Sequence, residues 1–303
     1  MKNKVVIIGC GNVGMSYAYS LINRKTSVNE LILIDINKEK ALGEAMDLNH
    51  GLPFGPSKIN IKAGDYDECS DAKIVMIAAG KSQEVGETRL DLIDKNKSVF
   101  KDIIKKIMES GFNGIFIIAT NPVDIMTYIT YKLSGFSKEK VIGTGTCLDS
   151  ARLRYEIGNK LNINSKNVHA YVIGEHGDSE FVPWTSATVG LTNLGEFISY
   201  SEKEKLETKV RNMAYEIINK KGNTSYGIGM VATRITNAIL SDENALLTVS
   251  SYDTENDLFV GYPTIINKDG AIKRIPFILT KEEQDKFNNS INVLKEVIEK
   301  IKD

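Results

Sequence analysis

A histidine flanked by glycines, Gly174-Glu175-His176-Gly177-Asp178, follows an apolar run that reads as a strand. Histidine titrates near neutral pH and is the natural side chain for moving a proton. Asp149, in Leu148-Asp149-Ser150-Ala151-Arg152, is a candidate partner for the far ring nitrogen, where a carboxylate fixes the tautomer and stabilises the imidazolium. Arg152 stands at i+3 from Asp149 and faces the same way on a helix, and its planar fork matches a carboxylate. Arg89 lies in a glycine-bearing segment, Ala79 to Arg89, that leaves the carboxyl end of a strand and can hinge at Gly80 and Gly86. Each residue also has a plain reading: a helical surface pair for Asp149 and Arg152, a packed or loop position for His176, an ordinary polar loop for Arg89.

Gly9-Cys10-Gly11-Asn12-Val13-Gly14 is G-x-G-x-x-G, placed directly after a strand and opening a helix. Gly9 permits the tight turn, Gly11 lets backbone approach a pyrophosphate, and Gly14 allows close helix–strand packing. The helix start carries N–H groups for phosphate. Asp35 ends the next strand. Its carboxylate suits ribose hydroxyls and repels a 2′-phosphate, which favours NAD over NADP. Hydride transfer to a 2-oxo acid makes three demands: a binder for the carboxylate, a group that polarises the carbonyl, and a proton donor. Arg152, Arg89 and His176 answer them in that order.

Elements must hold these groups together. Val5–Ile8, Leu31–Ile34, Ile74–Ala79 and Ile115–Ala119 are β-branched runs, apolar on both faces, as parallel strands covered above and below should be. Helical patterns lie between them, near 12–24, 38–50 and 87–109. This alternation predicts an α/β fold, a Rossmann-type doubly wound parallel sheet over residues 1–143. Residues 144–303 predict a second, α+β substrate domain. Its expected elements are a helix near 148–161, a strand at 170–173, a helix opened by a capping box at Ser201–Glu204, a helix from about Thr224, and antiparallel strands over 245–275. A terminal helix follows a second capping box at Thr280–Glu283, with Phe287, Ile291, Leu294, Ile298 and Ile301 as its buried stripe.

The formal net charge of −1 offers no field for nucleic acid or an anionic membrane surface. No stretch approaches the roughly 20 apolar residues of a membrane span. The apolar run after Met1 is broken by glycines and does not read as a signal peptide. Cys10, Cys69 and Cys147 lack metal-ligand spacing, so no metal is expected, and free thiols point to a reducing cytoplasm.

The segments GCGNVG, LILIDIN, GEAMDLNHG, AAGKSQEVGETRLDL, ATNPVD, GTGTCLDSARLR, VHAYVIGEHGDSE and KGNTSYGIGM resemble the bacterial L-lactate dehydrogenases of the lactate/malate dehydrogenase family, over essentially the whole chain. The resemblance implies an NAD-dependent oxidoreductase acting on a small 2-oxo/2-hydroxy monocarboxylic acid, pyruvate and L-lactate first. It implies His176 as proton donor–acceptor, Asp149 as its partner, Arg152 on the substrate carboxylate and Arg89 as the mobile-loop arginine. Asn121 matches the residue at the nicotinamide ribose and catalytic area, Thr224 a pocket threonine, and Ile228 the aliphatic residue on the nicotinamide. Gln83 matches the loop position facing the substrate's distal end, where malate dehydrogenases resemble each other in having arginine. A neutral Gln83 cannot pair a second carboxylate, which disfavours oxaloacetate. Val85, where such lactate enzymes usually have proline, leaves the L-2-hydroxyisocaproate dehydrogenases and their bulkier acids as an alternative. A non-catalytic NAD-binding protein is a further reading, and it need not retain all four catalytic positions. Arg154 and His169 match positions that bind fructose 1,6-bisphosphate in allosteric members. The family implies a homotetramer, and the N-terminal arm that resembles a tetramer clasp in animal members is not expected here.

Overall fold

The computed structural model describes residues 3–81 and 89–301, with the side chains of 89–91 left aside. In chain order the first half runs β1 (Lys4–Ile8), α1 (Asn12–Asn23), β2 (Glu30–Ile34), α2 (Lys38–Gly51), β3 (Asn60–Ala63), β4 (Ile74–Ile77), α3 (Arg89–Glu109), β5 (Ile115–Ile118), α4 (Val123–Ser134) and β6 (Val141–Gly143). The second half runs α5 (Cys147–Leu161), β7 (Val168–His169), β8 (Thr188–Val189), β9 (Thr192–Asn193), α6 (Tyr200–Lys221), α7 (Tyr226–Leu240), β10 (Ala245–Asp253), β11 (Leu258–Asn267), β12 (Gly270–Arg274) and α8 (Lys281–Ile301).

Among the described residues, nine strands form one sheet in the order β12-β11-β10-β6-β5-β4-β1-β2-β3. From β3 to β6 all pairings are parallel. This is the doubly wound order, whose reversal lies between β1 and β4 and opens a crevice at the strands' carboxyl ends. The antiparallel β10–β11–β12 ribbon of the second half joins the same sheet through Ser250 opposite Gly143.

Alternation along the strands sorts the core. Val5 and Ile7 of β1 share a buried cluster with Tyr17 and Leu21 of α1, Ala41 of α2 and Ile235 of α7. Val6 and Ile8 share another with Ile103 and Ile107 of α3, Met126 of α4 and the α8 stripe from Phe287 to Ile301. Burial on both faces explains why these strands are uninterrupted apolar runs. A third cluster joins Leu153 and Ile157 of α5 to Leu206 and Val210 of α6.

Two local expectations change. The capping box of α6 is Ser199 with Glu202, whose carboxylate takes the Ser199 N–H at 2.8 Å, rather than Ser201 with Glu204. The S-x-x-E pattern fits twice, and buried Ile198, packed with Leu206 and Val210, fixes the earlier start. Ala170, Val172 and Ile173 are buried and Tyr171 half-buried, but the segment makes no continuous ladder. Only Ile173 bridges Phe181, while Val172 gives its N–H to Ser150 Oγ at 2.9 Å and its carbonyl accepts from Thr146 Oγ1 at 2.6 Å. Hydroxyls at the start of α5 replace the strand partner and tie this segment to the helix that carries Asp149. The box at Thr280–Glu283 is present, with the Thr280 N–H donating to Glu283 Oε2 at 2.9 Å and the Glu283 N–H to Thr280 Oγ1 at 3.2 Å.

Candidate active site

Gly9 adopts φ +102°, a conformation L side chains rarely adopt. A Cβ there would stand 2.6 Å from the Ala79 nitrogen, so the carboxyl ends of β1 and β4 abut at this glycine. A Cβ on Gly14 would lie 2.0 Å from the Gly9 carbonyl oxygen, which is the close packing the third glycine permits. Gly11 differs from both. Its backbone is ordinary and extended (φ −83°, ψ −171°), and a Cβ would meet nothing within 4 Å. Neither strain nor packing requires glycine there; its bareness leaves open space over the first turn of α1. No side chain caps that helix, so the N–H groups of Asn12 and Val13 at its start keep capacity for an anion. Asp35 completes the loop: Oδ2 accepts from the Cys10 N–H at 2.7 Å and Oδ1 from the Asn37 N–H at 2.9 Å. An open cradle, uncapped N–H groups and a braced carboxylate fit a dinucleotide.

The crevice continues along the next strands. Thr120 Oγ1, after β5, donates to the Ala79 carbonyl at 2.7 Å. Buried Asn96 of α3 accepts from the Lys81 N–H at 2.8 Å and donates to the Asn121 carbonyl at 3.2 Å. It joins the root of the loop after β4 to Asn121, just ahead of α4. Gln83 lies outside the described residues. Arg89 begins α3, and its side chain lies outside them too. From the other half, α7 packs on α1 so closely that a Cβ on Gly229 would stand 2.6 Å from the Ser16 carbonyl carbon. Half-buried Ile228 directly precedes Gly229 at that contact, and half-buried Thr224 lies just ahead of α7.

His176, Asp149 and Arg152 come together. His176 Nδ1 lies 2.7 Å from Asp149 Oδ2, and Arg152 Nη1 donates to Asp149 Oδ1 at 2.8 Å. Asp149 and Arg152 do form an i,i+3 ion pair on α5, but a buried one, with side chains 2% and 8% exposed. The His176 ring is 26% exposed, the most open of the three side chains. Burial works against the imidazolium, yet the Asp149 carboxylate beside it prevails and lifts the pKa to about 9. Burial likewise disfavours the Asp149 anion, and the charges of His176 and Arg152 hold its carboxyl below the ordinary value.

The loop bearing His176 is held at both ends. Gly174 has φ +96° and exchanges backbone hydrogen bonds with Gly261 of β11, each at 3.0 Å. Ser290 of α8 accepts from the Glu175 N–H at 3.2 Å and donates to the Ser179 carbonyl at 2.7 Å.

Sequence reasoning missed three neighbours. Asp124, in the first turn of α4, accepts the His176 backbone N–H at 2.8 Å and the Ser250 hydroxyl at 2.6 Å. Glu180, 5% exposed, lies 3.9 Å from His176 Nδ1; burial and then the Asp149 charge push its carboxyl well above the usual range. Arg211 of α6 donates to the Glu180 carbonyl at 3.0 Å. A carboxylate in an expected helix gives no local signal that a histidine 52 positions away will meet it.

Asp149, His176 and Glu180 each place one possible ligand atom within 4.8 Å of the others. With metal bonds of about 2.0–2.1 Å, tetrahedral donors stand roughly 3.3 Å apart. The 2.7 Å Nδ1···Oδ2 contact is closer than that and suits a shared proton. Arg152 on the same carboxylate adds a resident positive charge. Arg154 and exposed His169 lie elsewhere, beyond this cluster: Arg154 donates to the Ser165 and Lys166 carbonyls at 3.2 and 3.1 Å, and His169 sits on β7.

Residues 3–143 match the profile of the lactate/malate dehydrogenase NAD binding domain, and residues 146–303 that of the lactate/malate dehydrogenase alpha/beta C-terminal domain. L-lactate dehydrogenase 2 of Bacillus cereus (strain ZK / E33L) is 50% identical over 306 residues, covering 98% of this chain and 97% of the relative. Among solved structures, MGS-M5, a lactate dehydrogenase from a Medee basin deep-sea metagenome library, superposes with a TM-score of 0.95 at 50% identity and 99% coverage of both chains. The minor L-lactate dehydrogenase of Enterococcus mundtii in its ligands-bound form gives 0.96 at 44% identity, again covering 99% of each.

Proposed function

The chain belongs to the lactate/malate dehydrogenase family, and from that premise we propose that it catalyses the reversible NAD-dependent interconversion of pyruvate and L-lactate. The observation that carries this is one buried aspartate, Asp149, shared between a reachable histidine and an arginine. NAD(H), when bound, supplies or accepts the hydride at C2 of the substrate. Gly9, Gly11, Asn12, Val13 and Gly14 would seat its pyrophosphate, Asp35 the ribose hydroxyls, and Asn121 and Ile228 the nicotinamide end.

The protein's own part is proton transfer and orientation. His176 holds a proton on the ring nitrogen facing the crevice and gives it to the substrate oxygen as negative charge develops there. Asp149 fixes the ring through Nδ1 and stabilises the imidazolium before transfer. Arg152 keeps further N–H donors beyond the one spent on Asp149, and these take the substrate carboxylate. Arg89 polarises the carbonyl, an interaction that strengthens where water is excluded. Thr224 and Gln83 are assigned to the substrate's distal end, where a methyl leaves no charge unpaired.

Effector control belongs to the same reading: Arg154 supplies a guanidinium and His169 a ring N–H for the phosphates of fructose 1,6-bisphosphate, in a cytoplasmic homotetramer. No helix among the described residues is long and apolar enough to cross a membrane.

NADH oxidation followed with pyruvate, oxaloacetate and 2-oxoisocaproate, each with and without fructose 1,6-bisphosphate, tests the reading. Pyruvate should turn over fastest. Preference for oxaloacetate contradicts the role of Gln83, and preference for 2-oxoisocaproate moves the enzyme to the bulkier acids that Val85 leaves open. Identical rates with and without the bisphosphate refute the effector site.

A further inference from the structure

Asp124 takes no part in the proton transfer just described, yet it is bonded to the backbone of the residue that performs it. Its carboxylate is 2% exposed. Oδ2 accepts the His176 N–H at 2.8 Å, and Oδ1 accepts the Ser250 hydroxyl at 2.6 Å. These three residues come from three elements. Asp124 sits in the first turn of α4, two residues after Pro122 and three after Asn121, at the cofactor end of the sheet. Ser250 lies on β10, paired with Gly143 at the seam where the second half's ribbon joins the parallel sheet. His176 projects from the loop braced by Gly261 and Ser290.

We propose that Asp124 is a positioning residue for the reaction. By gripping the His176 backbone it fixes the proton-donating imidazole at a set distance from the cofactor-binding edge that begins at Asn121. The proposal rests on His176 being the proton donor.

The physical argument is one of cost and geometry. A buried carboxylate is expensive unless donors satisfy it, and a hydrophobic side chain would fill the same space with less penalty. Asp124, on the first half's side of the seam, takes both of its donors from the second half, so it can be satisfied only while His176, β10 and α4 hold their mutual places. Hydride and proton arrive at adjacent atoms from different halves of the protein, and a misplacement of about 1 Å can cost on the order of 100-fold in rate. The groups facing Asp124 are the His176 amide and imidazole, the Ser250 hydroxyl and, electrostatically, Glu175. Those facing the His176 imidazole are Asp149, Glu180 and Asp124. Burial pushes the Asp124 carboxyl up to about 6, so above that pH its anion helps hold the imidazolium.

The test compares the parent chain, Asp124→Ala, Asp124→Asn and Ser250→Ala in pyruvate reduction, with NADH affinity and thermal midpoint measured beside the kinetics. Asp124→Ala should lower kcat by at least 10-fold while NADH Kd changes less than about twofold. Asp124→Asn keeps an acceptor oxygen for the His176 N–H and should recover most of that loss. Having lost the charge, it should still move the alkaline limb of the pH profile to lower pH. Ser250→Ala leaves the carboxylate with one donor and should fall between parent and Asp124→Ala; it stands in if Asp124→Ala does not fold. Parental kcat and an unmoved alkaline limb in Ser250→Ala and Asp124→Asn overturn the proposal. So does a loss in Asp124→Asn as deep as in Asp124→Ala. A parent without pyruvate turnover refutes the proposed function itself; a parent with turnover and unaffected variants refutes only the role of Asp124.

Discussion

His176 meets the crevice with a ring that is partly exposed and a back that is fully engaged, by Asp149 through Nδ1 and by Asp124 through the main chain. His176→Ala should therefore lower pyruvate turnover by roughly 100- to 10,000-fold, the usual worth of a positioned acid. Its NADH affinity, read by fluorescence titration, should stay near the parent's, because the imidazole's contacts run to Asp149 and Glu180. Equal losses of turnover and NADH affinity would make the residue a structural one. Gln83→Arg should raise the oxaloacetate-to-pyruvate ratio of kcat/KM by at least 10-fold, and an unchanged ratio would remove Gln83 from the pocket. The residues that form the cluster were legible because they stand in distinctive local settings: a histidine between glycines, an acid and an arginine at i,i+3. Asp124 and Glu180 were not, since long-range contact, rather than any local pattern, gives them their place.

The glycine loop separates three kinds of glycine that look alike in a string of letters. Gly9 is required by its positive φ, Gly14 by helix–strand contact, and Gly11 by neither. Gly11→Ala should keep the parent's thermal midpoint without cofactor and yet weaken NADH binding at least 10-fold. Unweakened binding would mean that the open space above Gly11 is not where the pyrophosphate lies. Gly14→Ala, with 2.0 Å to the Gly9 oxygen, should lower the midpoint itself. Parallel strands buried on both faces and the α8 stripe were readable from apolar patterns alone. The start of α6 was not, because Ser199 and Ser201 present the same cap spacing and packing of Ile198 decides between them. Ser199→Ala should cost about 1 kcal/mol of stability. The Glu202 carboxyl is drawn down to about 2 by Lys160 and Ser199. Its contribution is thus present above the ordinary carboxylate pKa and is lost as pH falls through about 2.

At the scale of the molecule, one sheet runs through both halves, and the crevice lies where its order reverses. The alternation of strands and helices announced the first half. The second half's ribbon was visible as strands, but nothing in the pattern said that β10 would extend the first half's own sheet beside β6. Because α7 lies on α1 and β10 on β6, a cofactor bound at the first half's edge should stabilise the whole chain. NADH at about 100 times its Kd should add roughly 2.7 kcal/mol of stability, seen as one shifted thermal transition. Two transitions, only one of them shifted, would show that the halves melt apart. The protonation of His176 bears on the same fold: its raised pKa adds stability that is complete below about 6.5 and disappears as pH rises through about 9. The pH dependence of kcat/KM for pyruvate reduction, in the parent and in Asp149→Asn, tests the shared-aspartate site most directly. The parent should lose activity as pH rises through about 9, where the imidazolium gives up its proton, and Asp149→Asn should lose it at clearly lower pH, toward the ordinary histidine value. An alkaline limb in the same place for both would contradict the account.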